Sequence, residues 1–153
     1  MTARHPLPPP PLPGIDPDAA VRLGVALVRR RTDACEQDRH DPCLTVWSYG
    51  AGTVTPLGRW AARPRVAARL DAWLRDEIVR RLLGPYGDAL TRPLAVWERT
   101  GALSTRADDR AWHAAWRLHA PPSQPFLVVT HAGWLSLPDG TTCRVTRARA
   151  GRA

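Results

Sequence analysis

Sixteen prolines punctuate the chain, and their placement limits how long any regular element can run. Proline fixes φ, carries no amide donor and restricts the residue before it, so helices begin at it and central strands exclude it. Six of the sixteen crowd into His5-Pro6-Leu7-Pro8-Pro9-Pro10-Pro11-Leu12-Pro13. Such a run is extended polyproline II, and residues 1–15 read as a disordered arm. An aromatic-grooved partner domain could read it, although no basic residue sits at the spacing such motifs use. The other prolines bracket the segments of one α+β domain over 16–146, followed by a basic tail over 147–153. No apolar stretch approaches the ~20 residues that cross a bilayer.

Asp16-Pro17 predicts a helix start, with Val21, Val25, Val28, Thr32 and Cys35 on one face and an end before Asp41-Pro42. Leu44–Tyr49 and Thr53–Leu57 predict a hairpin around Gly50-Ala51-Gly52, with Pro56 making the second strand an edge or ending it. Val66, Leu70, Trp73, Leu74, Ile78 and Leu82 recur at three and four, which predicts one helix from Pro64 to Leu83. Asp71–Arg75, Asp76–Arg80 and Glu77–Arg81 are spaced to pair along it. Thr91–Arg99 fits either a buried strand or a helical turn. Ser104-Thr105 caps a further helix to His119, with Trp112, Trp116 and His119 on its buried stripe. Phe126–Thr130, Gly133–Leu137 and Thr141–Thr146 predict an antiparallel meander, its last turn made by Pro138-Asp139-Gly140.

The material for a core is thin. Leu, Val, Ile and Phe together number 31 of 153 residues, so the seven Trp must supply bulk. Trp47, Trp73, Trp97, Trp112, Trp116 and Trp134 read as core. Trp60 reads as free, a candidate for stacking on a base.

The formal net charge is +8, and every basic residue is Arg. The absence of Lys and Asn matches a high-GC genome, so Arg over Lys is mutational bias. The excess of bases over acids is not explained that way. Residues 1–41 are neutral, whereas 42–102 and 103–153 each carry net +4. A basic half of this kind favours a polyanion. Arg106, Arg110, Arg117, Arg144, Arg147 and Arg149 are the candidate phosphate contacts.

Motifs for catalysis are missing. There is no phosphate-binding glycine loop, no dinucleotide fingerprint and no H-E-x-x-H. Cys35, His40 and Cys43, with Cys143 or His131, could be assembled into a zinc set, but the C-x4-H-x2-C spacing fits no common finger. His113 and His119 stand six apart, which separates them on a helix. Asp108-Asp109 reads as stabilisation of a helix N-terminus. Three cysteines, an odd count, and no signal-like N-terminus favour the cytoplasm. The expectation is a non-catalytic, cofactor-free nucleic-acid-binding protein with no membrane partner. The rivals are a protein-interaction module using the Pro-rich arm and an exposed Trp, and an enzyme of unknown class. If Pro93–Thr100 is helical, the order helix, turn, helix and β wing over 64–146 resembles a winged helix-turn-helix, which would put the helix after Ser104 in the major groove.

Overall fold

A computed structural model describes residues 41–50, 53–84, 92–121 and 124–144. The Pro-rich arm, the helix expected after Asp16, Cys35, His40 and the basic tail with Arg147 and Arg149 lie outside the described residues.

The described chain is α+β. In order it forms β1 (Cys43–Gly50), β2 (Thr53–Ala61), a one-turn α1 (Pro64–Ala67), α2 (Ala72–Leu83), β3 (Arg92–Glu98), α3 (Ala107–His119), β4 (Phe126–Thr130), β5 (Gly133–Leu137) and β6 (Thr142–Arg144). The six strands make one sheet in the order β2-β1-β3-β4-β5-β6. The pairs are antiparallel except β3 with β4, which run parallel and are joined through α3. The N-terminal hairpin and the C-terminal meander are both present. No helix among the described residues is long and apolar enough to cross a membrane.

Residues 92–98 are a strand, so the helix pair of a winged helix is not formed from this segment. The reason lies in its position. Pro93 to Arg99 are all buried, because β3 sits mid-sheet with both faces covered. A strand buried on both sides loses the period-2 alternation that distinguishes it from a helical turn.

Strand register sorts the core. Leu44 lies opposite Trp97, and Trp97 opposite Val128; Val46 lies opposite Ala95, and Ala95 opposite Phe126. These residues, with Leu135 and Leu137, face Val79 and Leu83 of α2 and Trp112, Ala115 and Trp116 of α3. Trp97 and Trp112 meet at 5.1 Å between ring centroids, and Trp60 and Trp112 at 5.3 Å. The opposite face, with Leu94, Val96, Leu127, Val129 and Trp134, is buried as well.

The helix expected as one piece from Pro64 to Leu83 is two. The chain turns after Ala67, and Asp71 restarts it as an N-cap whose carboxylate accepts the Leu74 amide at 2.8 Å. The restart resets the helical phase. Val79 and Leu83 are buried, whereas Val66, Trp73 and Leu74 are exposed. The ion pairs are regrouped too: Glu77 binds both Arg80 and Arg81, while Arg75 and Asp76 reach across to α3.

Pro56 does mark an edge strand, but β2 continues past it to Ala61 through a bulge opposite Val46 and Trp47. At the other side, Gly133 has φ 141° and a Cβ there would lie 2.0 Å from the Cys143 carbonyl oxygen. Only glycine allows β6 to approach β5 this closely.

Candidate nucleic-acid interface

α3 leaves the C-terminal end of β3, and one buried ion pair holds that exit. The Arg99 guanidinium donates to both carboxylate oxygens of Asp109, each at 2.6 Å. Its remaining N–H groups donate to the carbonyls of Thr100, Ala102 and Ser104. Asp109 in turn accepts the Arg106 backbone N–H at 2.8 Å, closing the first turn of the helix. Ser104 and Thr105 do not cap it; Arg106 occupies the N-cap position. A carboxylate three residues in satisfies the orphan amide that their hydroxyls were expected to take.

Both acids of this helix are thereby turned away from solvent-facing basic groups. Asp109 is fully buried against Arg99. Asp108 accepts from Arg75 at 2.6 Å, and that same Arg75 lies 5.7 Å over the Trp112 ring. On the far side of the helix, Arg106, Arg110 and Arg117 are all exposed. Their spacing of four and then seven keeps them in one row. The Arg106 side chain lies across Gly101, whose φ is 95° and where a Cβ would sit 2.1 Å from Nη2.

Arg144 is exposed at the end of β6, opposite Gly133. By strand alternation it is on the face of the sheet that carries the helices. Gly133 follows Thr130 by a short turn, so Arg144 stands at the sheet end where β3 and β4 finish and α3 begins. The described candidates are thus Arg106, Arg110 and Arg117 along α3, and Arg144 on the outer strand β6, at the sheet end from which α3 starts and on the sheet face that carries the helices.

Trp60 is not free. It packs on Trp112 and lies half-buried against the core. The exposed indole is that of Trp73, at 69% exposure, which the apolar stripe had assigned to the core. The signal that distinguishes them is Asp71: a capping residue two positions before Trp73 starts a new helix there.

The described cysteines and histidines do not converge. Cys43 is buried, and its Sγ accepts from Arg59 Nε at 3.1 Å. Cys143 lies four strands away on β6, roughly 19 Å at about 4.8 Å per strand. One metal cannot bridge them. Among the described residues no group of three or more His, Cys, Asp or Glu is placed to hold a metal. His113 faces Phe126 at 5.5 Å, and burial, with Arg117 nearby, lowers its pKa. His119 lies on Asp76 at 2.5 Å. An open hollow lined by Asp41, Arg63, Pro64, Arg65 and Val66 carries both charge signs and no enclosed polar group. No protein-family model, curated protein or solved structure matches this chain.

Proposed function

We propose that the protein binds nucleic acid without catalysis, through phosphate contacts made by Arg106, Arg110 and Arg117 on α3 and by Arg144 at the end of β6. The observation that carries this reading is the division of charge on α3. Its two carboxylates are consumed by Arg99 and Arg75, and its three arginines face solvent with no acid in their row. A row of unneutralised guanidinium groups on a rigid helix attracts a polyanion and displaces its condensed counterions.

The test is a titration of labelled duplex and single-stranded oligonucleotides over a range of salt. Binding at low salt is expected in the micromolar range typical of non-specific contacts, and log Kd should change steeply with log salt. Replacing Arg106 and Arg110 together with Ala should reduce the duplex slope by about two. No binding at low salt up to roughly 100 μM, or binding unchanged by these substitutions, would overturn the proposal. The rival, a protein-interaction module, draws support from the exposure of Trp73 and Leu118.

A further inference from the structure

Strand direction gathers further exposed arginines at the end of the sheet where α3 starts. β1 is antiparallel to both β2 and β3, β3 is parallel to β4, and β5 is antiparallel to both β4 and β6. β2, β3, β4 and β6 therefore all finish at this one end. Register aligns Ala61, Cys43, Glu98, Val129, Trp134 and Cys143 in one row across it. Arg144 closes β6 one residue beyond that row. On the other outer strand, the Ala62 amide still donates to the Pro42 carbonyl, and Arg63 comes next. Arg63 and Arg65 wall an open hollow with Asp41, the residue that leads into β1, which places both at the same end. Between the two sides lies Arg106, whose guanidinium rests over Gly101 where the chain leaves β3.

We propose that a nucleic-acid backbone crosses this sheet end, held by Arg63 and Arg65 at one side, Arg106 in the middle and Arg144 at the other. This rests on the phosphate-binding reading of α3; it adds two contacts and sets the ligand across the strands rather than along the helix. Charge supports it first. All four arginines are exposed, and among the described residues none is within ion-pair distance of a carboxylate. The neighbouring acids are engaged elsewhere. Asp71 accepts the Leu74 amide, Asp108 is held by Arg75, Asp109 by Arg99, and Glu98 is buried. Asp41 is exposed, but in the hollow it faces two arginines. Length supports it second. β2 and β6 are the outer strands of six, roughly 24 Å apart at about 4.8 Å per strand. A free phosphate or a mononucleotide cannot reach from the hollow to Arg144. A duplex carries a phosphate about every 3.4 Å along each strand, so about seven lie beside this end. Each guanidinium can give a phosphate two parallel N–H bonds.

The test is the salt dependence of binding to a duplex of about 12 base pairs. Arg63→Ala with Arg65→Ala should keep the fold, because both side chains are exposed and Arg63 makes no side-chain cap to α1. Far-UV circular dichroism and the thermal midpoint verify it. The slope of log Kd against log salt is expected to fall by about two in this variant. Arg63→Lys with Arg65→Lys keeps both charges and should keep the slope. Arg92→Ala removes an exposed arginine at the start of β3, at the opposite end of the sheet, and should leave the slope where it is. An unchanged slope in the double Ala variant, with the slope still falling on loss of Arg106 and Arg110, overturns the crossing and leaves the α3 reading standing. An equal fall per charge in Arg92→Ala shows that net charge alone acts, and overturns the crossing too. No duplex or single-strand binding at low salt overturns both readings together.

Discussion

Arg99 and Asp109 show how a single buried pair can set the start of a helix, and with it the direction of the Arg106, Arg110 and Arg117 row. Among the described residues the Arg99 side chain reaches five acceptors, two of them on Asp109, and both side chains are buried. Removing one member strands a buried charge, which costs far more than the pair contributes. Asp109→Ala is expected to destabilise by about 3–5 kcal/mol in urea unfolding. Replacing both members together should cost clearly less than the two single losses combined, because the charges are coupled. Strict additivity would show that they are not. His113 gives the pH dependence. Burial and Arg117 lower its pKa below 6.5, so the folded state favours the neutral ring. Between the lowered value and 6.5 the unfolded chain binds the extra proton, and stability must fall as pH drops through that window. Stability measured from neutral to mildly acidic pH should show the decline, and His113→Gln should flatten it. Glu77, held down to about 2 by Arg80 and Arg81, acts lower, between 4.5 and about 2. The two effects separate on the pH axis.

At the scale of elements, the hairpin, the meander and the helix ending at His119 are legible because turn chemistry and amphipathic spacing agree there. The Pro138-Asp139-Gly140 turn is an example: Gly140 adopts φ 73°, and its amide bonds the Ser136 carbonyl at 2.8 Å. The segment from Pro64 to Leu83 is two helices where spacing predicts one, because spacing alone does not reveal a phase reset. Val66 predicts the burial of Trp73 only if the helix is continuous, and the turn after Ala67 breaks it. A continuous helix would bury Trp73 and leave Trp60 as the spare indole; with the phase reset Trp73 is exposed and Trp60 packs on Trp112. Energetics can confirm the break. Asp71→Ala removes the cap of α2 and should cost about 1 kcal/mol. Leu83→Ala, on the buried side, should cost about 2–5 kcal/mol. Trp73→Ala should stay within about 0.5 kcal/mol, as an exposed site without partners does. A large loss at Trp73 in thermal or urea unfolding would restore the single-helix picture.

For the molecule as a whole, the parallel pair β3–β4 is the axis on which the rest is assembled. It occupies the middle of the sheet, and its residues from Leu94 to Trp97 and from Phe126 to Val129 are buried. The outer strands differ from it: β2 carries Pro56 and a bulge, and β6 has three residues. Local opening is cheapest where few apolar contacts and many exposed backbone bonds coincide. Amide hydrogen exchange should therefore be slowest in β3 and β4, with opening energies equal to the global unfolding value. β6 should exchange fastest among the strands, through openings that leave the centre intact. α3 is the crossover between the two central strands, and Arg99 and Asp109 tie its first turn to the end of β3. Its inner amides, around Trp112 to Trp116, should share the protection of the central pair. That would fix the spacing of Arg106, Arg110 and Arg117 on the timescale of binding, so that the row meets a polyanion preorganised. Exchange from α3 as fast as from β6 would detach the arginine row from the rigid centre, and Asp109→Ala should produce that same loosening in the first turn of α3.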